Sequence, residues 1–471
     1  MLWDRLLTRQ GIVAYLPIIV VVILLFLGAS WELFLVQASM ARYACYALTF
    51  WHGGSGVNLY PPIAHCKFLP ASTLSMPPFH ALPLEYPPFT LVLFSLPLFA
   101  PLHYYTIVFA ILMALTMIFI YWLLLRYAPR SAGLAFAVYM LIGAWALAES
   151  RFDLVPAALT LLCVIAAERK RWTFAYIALV FASLLKIYPL LLLPALFIAE
   201  QRDEGRFYMP QQPLNLASLP GELWQTLRGM LRWRWKNTII FFAILLGVTG
   251  FFALLNFQSA VLSQFSYFAN RPVQIESTGS PILFLGADFG YPVKNMFTFG
   301  SYNVVSSLER LVEFFLNVLF VAGYIYTLFL HWRGKLDVTQ AFIAVLLVFI
   351  VTGKVFSPQY LMWLIPLLAY SGAYNRFWLI VWLPISLLTT YIYPYIYTIP
   401  LRVPVAYRPG FIESVTARNA LLAFLTLAYL FNWWQVRSTR NRRLNGDRSS
   451  TLSGYRGDRE DHYATSAPVQ P

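Results

Sequence analysis

The chain has 471 residues, of which 59% are hydrophobic and only 11% charged, whereas a soluble domain is roughly half apolar and about a quarter charged. That surplus of apolar surface excludes a soluble fold and demands lipid. The formal net charge of +14 does not point to nucleic acid, because the basic residues fall in short turns between apolar segments, the pattern that orients helices in a membrane.

Met1 to Gln10 carries Asp4, Arg5 and Arg9 ahead of a long apolar run with no small-residue cleavage site, so it reads as the lead-in to a retained first helix over 12–31. With that end cytoplasmic, a large polar, Pro-rich loop over 32–88 lies outside. Cys45 and Cys66 fall in this loop, where an oxidising exterior permits a disulfide. Cys163 lies inside an apolar segment as a buried, inert thiol. Segment 89–101 is short and carries prolines, so it is expected to lie in the interface or to re-enter without crossing. Segment 104–125 then runs inward to Arg126 and Arg130, 131–148 runs outward to the turn Glu149–Asp153, and 154–167 returns to the basic turn Glu168-Arg169-Lys170-Arg171.

The next apolar stretch, 172–199, is interrupted at Lys186 and Pro189 and is expected as two short segments, 172–185 and 187–199, meeting at an outer bend. Segments of 13 or 14 residues span about 20 Å against a hydrocarbon core of about 30 Å. Such a shortfall is tolerated where helices line a protein cavity. A Trp/Arg-rich stretch within 200–236 reads as a cytoplasmic interfacial helix. Segments 238–258, 311–332, 338–353, 359–374, 377–398 and 418–435, with an outer loop over 259–310, complete the set. The predicted fold class is an all-α polytopic membrane protein, a bundle of about 12 transmembrane helices over 1–435 with both termini cytoplasmic and a large first outer loop. Residues 436–471, almost devoid of apolar side chains, are predicted to be a disordered cytoplasmic tail. On this topology 23 of the 34 Lys and Arg are cytoplasmic and 11 are outer, and a cell inner (plasma) membrane is the expected location.

The outer cations carry the chemical information. Arg151, Lys186, Arg271 and Lys354 sit singly at outer helix ends, each beside proline, aromatic or carboxylate residues. Ionisable residues at membrane depth are costly and mark functional sites by default, although any one of these alone also fits a snorkelling anchor. Several cations converging on one mouth would suit a lipid phosphate. The carboxylates of the same face include Glu32, Glu85, Glu149, Asp153 and Glu276. An inverting sugar transfer needs one carboxylate to take the acceptor proton while cations hold the phosphate leaving group. Glu85, Asp153 and Glu32 are the candidates for that base, with Asp153 also placed to act as an N-cap or as a salt-bridge partner of Arg151.

The strings Glu85-Tyr86-Pro87-Pro88, Arg151-Phe152-Asp153-Leu154-Val155-Pro156, Lys186-Ile187-Tyr188-Pro189, Arg271-Pro272-Val273-Gln274-Ile275-Glu276-Ser277 and Lys354-Val355-Phe356-Ser357-Pro358-Gln359-Tyr360 occur in order along the chain. In these the chain resembles the bacterial polyprenol-phosphate-mannose-dependent mannosyltransferases of glycosyltransferase family 87. The resemblance implies a GT-C-type fold, a polyprenyl-phosphate-sugar donor, a glycolipid or glycan acceptor, inversion at the anomeric carbon, and no obligatory metal or other cofactor. It further implies that Tyr86, Arg151, Lys186, Tyr188, Arg271, Glu276, Lys354, Gln359 and Tyr360 bind substrate. One departure concerns the base. Family members place an Asp about a dozen residues before a Gly-Gly pair; Gly53-Gly54 is present here, but Ser39 stands at the corresponding position. A transporter or flippase of a lipid-linked saccharide is the alternative reading, and a structural membrane subunit with mutually paired charges is a third.

Overall fold

The computed structural model describes residues 9–36, 38–55, 66, 69, 71–207, 217–400 and 402–431. The expected tail over 436–471 and the first eight residues lie outside that set. The principal helices are α1 (Arg9–Trp31), α2 (Ala38–His52), α3 (Thr90–Ser95), α4 (Tyr105–Tyr127), α5 (Arg130–Gly143), α6 (Leu154–Glu168), α7 (Trp172–Leu185), α8 (Leu193–Asp203), α9 (Leu219–Arg228), α10 (Lys236–Phe257), α11 (Ser263–Asn270), α12 (Gly279–Asp288), α13 (Glu309–Trp332), α14 (Val338–Thr352), α15 (Leu361–Ser371), α16 (Arg376–Thr390) and α17 (Phe411–Leu430). Among the described residues, six helical stretches are long and apolar enough to cross a membrane, namely Val13–Ser30, Leu102–Tyr127, Lys236–Asn270, Glu309–Trp332, Arg376–Ile396 and Phe411–Leu430. This is a helical membrane protein.

Helix length follows position in the bundle. The short apolar helices α6, α7 and α14 are sheathed by protein, with Leu161, Leu179 and Leu346 fully buried. The long α10 and α13 are the least covered, with only 11% and 17% of their apolar windows buried, so their remaining surface faces lipid. A helix enclosed by protein need not match the bilayer, whereas one facing lipid must. Local chemistry sets the ends. Asp337 and Gln340 form a reciprocal capping box that starts α14, Asn375 accepts the Trp378 N–H to start α16, and Gly372 at φ 87° ends α15.

Helices α6 and α7 form a tight hairpin at the centre. Ala157, Ala158, Ala166 and Ala167 on one and Ala175, Ala178 and Ala182 on the other are buried. Small side chains bring backbones close enough for dispersion contacts to hold helices together where lipid removes the usual apolar driving force. The turn Arg169-Lys170-Arg171 closes one end of the hairpin. Asp153 and Lys186 lie at the open end.

Two regions are more structured than the sequence reading. The expected outer loop over 32–88 contains α2, whose Met40, Tyr43, Ala44, Cys45 and Ala47 are buried. A disulfide joins Cys45 to Cys66. Behind α2 the Gly53-Gly54 pair turns the chain: Gly53 has φ +71°, and a Cβ on Gly54 would sit 1.5 Å from the Leu74 carbonyl oxygen, so only glycine fits. The expected loop over 259–310 holds α11, α12 and a small antiparallel sheet in the order β1 (Val273–Gln274), β3 (Ser301–Ser306), β2 (Val293–Thr298). Thr298 pairs with Ser301 across a turn whose Phe299 and Gly300 both have positive φ, the hairpin geometry that suits strand twist. Val273, Ile275, Leu283 and Val304 pack with Ile392, Ile396, Phe411 and Val415 in a second apolar cluster apart from the main core.

Candidate active site

The open end of the α6–α7 hairpin carries the first part of the site. Asp153, at the start of α6, is fully buried. Its Oδ1 accepts from Lys186 Nζ at 2.5 Å and from Trp363 Nε1 at 2.7 Å, so the ion pair staples the two ends of the hairpin together. It does not cap α6, since no side-chain cap hydrogen bond forms there. The Trp363 ring is sandwiched by Tyr188 and Tyr360, each at a centroid distance of 4.0 Å. Lys186 lies over the rings of Phe152 and Trp363 at 4.9 and 5.3 Å. A cation over aromatic faces is attracted by the negative faces of the rings.

Arg151 connects this pair to the end of α1 and to α2. Its Nη2 lies 3.5 Å from Glu32 Oε1, and Tyr393 donates a hydrogen bond to the same carboxylate oxygen. Arg42, on α2, donates to Glu85 at 2.8 Å, and its guanidinium packs against Gly300 in the sheet hairpin. Tyr86 is within electrostatic reach of Arg42, Arg151 and Asp153, and its hydroxyl is pushed up to about 12 by burial, with adjacent Glu85 adding to the shift. Tyr360 couples in the same way to Arg271 and Asp153, and Tyr267 to Glu85, Arg271, Tyr86 and Arg42.

Glu32, Glu85, Tyr86, Arg151, Asp153, Lys186, Tyr188, Arg271 and Tyr360 are thus drawn from widely separated strings into one polar cluster. Three of its carboxylates differ in what they have left to give. Glu32 and Asp153 are buried, each with one oxygen engaged and the other, Oε2 and Oδ2, without a partner among the described residues. Glu85 retains 15% side-chain exposure. Among the cations, Arg271 has no carboxylate within 4.0 Å among the described residues; its Nη2 donates to Ser301 Oγ at 2.8 Å. Orphaned buried polar atoms beside an unneutralised guanidinium mark a place prepared for a polar ligand.

Three further expected site residues are held by partners of their own. Glu276 is buried in a clamp of its own: Arg418 Nη1 donates to its Oε2 at 2.9 Å, Arg418 Nη2 to its backbone oxygen at 2.6 Å, Tyr397 to its Oε1 at 2.9 Å and Asn419 to its backbone oxygen at 3.0 Å. Lys354 donates to the Ala269 carbonyl and lies 3.3 Å from Glu313. The Gln359 side chain accepts from Ser357 within its own turn.

Arg42, Trp363, Tyr393 and the Arg418 clamp were not singled out from sequence. For Arg42 the signal existed, since apolar or small residues at 40, 43, 44 and 47 repeat at helical spacing. Glu149, beside the cluster in sequence, is fully buried with neither carboxylate oxygen bonded among the described residues, and burial holds its carboxyl well above the ordinary range. Among the described residues no group of three or more His, Cys, Asp or Glu is placed to hold a metal ion. Neither a protein-family model nor a curated protein matches this chain.

Proposed function

We propose that the chain is an inverting hexosyltransferase of the GT-C type, moving a sugar, mannose by the resemblance, from a polyprenyl-phosphate donor to a lipid-linked or cell-envelope glycan acceptor. The observation that carries this reading is the gathering of Arg151, Lys186 and Arg271 around one buried cluster with the partly exposed carboxylate of Glu85 at its rim. Cations that converge from separate helix ends are suited to a phosphate leaving group, and aromatic faces such as Tyr86 and Tyr360 suit a sugar or an isoprenoid chain.

In this reading Glu85 is the base. Each of the three carboxylates spends an oxygen on a neighbour, Asp153 on Lys186 and Trp363, Glu32 on Tyr393 and Glu85 on Arg42, but Asp153 and Glu32 are buried whereas Glu85 keeps 15% of its side chain open to an incoming hydroxyl. Glu85 takes the acceptor proton as the acceptor oxygen attacks the anomeric carbon. The bond from that carbon to the phosphate oxygen breaks, and its electron pair remains on the phosphate, where Arg151, Lys186 and Arg271 stabilise the added charge. Asp153 holds Lys186 in place. The orientation that goes with this chemistry puts the cluster at the outer face of a cell inner membrane and the turn Arg169–Arg171 on the cytoplasmic side, with the further short helices completing about 12 crossings.

The test is transfer from a radiolabelled polyprenyl-phosphate mannose by purified protein in proteoliposomes. Glu85→Gln, which keeps an acceptor for Arg42, should lower kcat by about 100-fold or more with donor binding retained. Undiminished transfer by this variant would remove Glu85 from the role. Absence of transfer by the unmodified protein across a panel of polyprenyl-phosphate sugars and envelope-extracted acceptors would overturn the whole reading.

A further inference from the structure

At the other end of the α6–α7 hairpin, away from Asp153 and Lys186, the structure has an open cavity of about 340 Å³ lined by Lys170, Arg171, Trp172, Thr173, Phe174 and Arg234. Three of the six lining residues are cations. Lys170 pairs with Asp203 at 2.6 Å, and Arg234 shares Glu204 with Arg206. Arg171 has no carboxylate within 4.0 Å among the described residues, and it is exposed. The local charge is therefore positive, with one guanidinium uncommitted.

The cavity's level relative to the membrane follows from the helices that start beside it. Thr173, in the first turn of α7, donates to Asn237, in the first turn of α10, at 2.8 Å. Helix α10 belongs to the membrane-crossing stretch Lys236–Asn270, so the cavity sits where that stretch enters the bilayer, at the depth of lipid headgroups. Phe174, which lines the cavity, is exposed on α7, whereas the exposed stripe Ile239, Phe242 and Leu246 lies on the face of α10 turned away from the Asn237 and Phe241 side that meets α7. Beside the cavity the chain that leads to Arg234 carries exposed Leu223, Trp224, Leu227, Met230 and Leu231, the composition of a segment lying in the interface plane.

The geometry points to a built site for an anionic phospholipid, its phosphodiester held by Arg171 with Lys170 and Arg234, and an acyl chain packed on Phe174. Exposed Phe174 in the lining, at the level where α10 enters the bilayer, commits the site to a lipid rather than to a soluble phosphate, because a free phosphate has no use for either. The cations commit it to an acidic headgroup. The site stands on the opposite end of the hairpin from the polar cluster and is independent of the chemistry proposed there.

Native mass spectrometry of the full chain in detergent tests this, with palmitoyl-oleoyl phosphatidylglycerol and phosphatidylcholine supplied at equal concentration. The unmodified protein should retain phosphatidylglycerol preferentially. Arg171→Gln should weaken that retention about fivefold, as expected for one basic residue at a lipid surface, while Arg171→Lys restores most of it and Arg402→Gln, at an exposed arginine elsewhere, changes nothing. Phe174→Gln should lower retention of both lipids and leave the preference between them intact. Equal retention of the two lipids by the unmodified protein, or an Arg171→Gln protein indistinguishable from it, overturns the site. Displacement of phosphatidylglycerol by soluble glycerol phosphate at a matching concentration overturns the assignment to a lipid. Thermal unfolding of each variant identifies any loss that comes from misfolding, and a folded Arg171→Gln is expected because that side chain is exposed.

Discussion

Replacing Arg418 by Met should cost more than any surface change in this protein, because of what it leaves behind. Arg418 is fully buried, and its removal takes away the 2.9 Å bond to Glu276 Oε2, the 2.6 Å bond to the Glu276 backbone oxygen and the 3.1 Å bond to Asn419. Glu276, at 1% exposure, keeps only the Tyr397 hydroxyl on its carboxylate. Removing one member of a buried pair costs about 3–5 kcal/mol, most of it the penalty of an uncompensated charge. At about 3 kcal/mol the folded-to-unfolded ratio falls more than 100-fold. The double variant Glu276→Gln with Arg418→Met removes the stranded charge and should recover to within about 1–2 kcal/mol of the parent, the scale of lost hydrogen bonds. Unfolding in mixed micelles, followed by tryptophan fluorescence, measures both. Amide exchange should rise first in β1 and in the residues around Ser277, which the clamp joins to α17. An Arg418→Met protein within about 1 kcal/mol of the parent, or a double variant no more stable than the single, would refute the reasoning.

Glu149→Gln should flatten the dependence of stability on pH. With the folded-state pKa raised by burial, the folded protein binds the more protons above the ordinary carboxylate value, so stability is full below that value and falls as pH rises toward the folded-state value. Melting temperatures taken between about pH 5 and about pH 8 should decline less in the variant than in the parent, and parallel profiles would exclude Glu149 as the source. Gly54→Ala forces a Cβ into the Leu74 carbonyl and should reduce the yield of folded, monodisperse protein sharply. Normal yield and melting would show that the turn behind α2 can yield at little cost.

The crossing helices were legible because lipid makes two simple demands on a sequence, apolarity and length, and both are local. Even the break at Lys186 could be read, since a charge and a proline interrupt an apolar run. Helix α2 was hidden by its polar surroundings: Arg42, Thr49 and the following glycines look like loop, and only burial against the bundle explains their apolar stripe. The sheet was hidden for a different reason, since β1 has two residues and its partner β3 lies beyond an intervening helix. For Arg418, the expected helix over 418–435 put it at an outer end, but α17 begins at Phe411. That places Arg418 well inside the helix and buries it, and its partner Glu276 is 142 positions away. Pairings at such separations leave no periodicity to read. The convergence of Arg151, Lys186 and Arg271 belongs to the same class: each was visible as an isolated charge, and their common destination follows only from packing.

The short α7 also sets an electrical condition on whatever reaches Lys186. Its first turn is tied to that of α10, yet α7 has 14 residues and α10 has 22, so Lys186 stands about 12 Å short of the far end of α10. An anion drawn to it descends through roughly a third of the dielectric slab. Carrying one elementary charge across the full slab involves about 2.3 kcal/mol per 100 mV, so this partial descent involves about 0.8 kcal/mol, close to a fourfold change in occupancy. Occupancy at Lys186 should therefore respond to the transmembrane voltage, and collapsing that voltage with an ionophore should shift it without touching a single side chain.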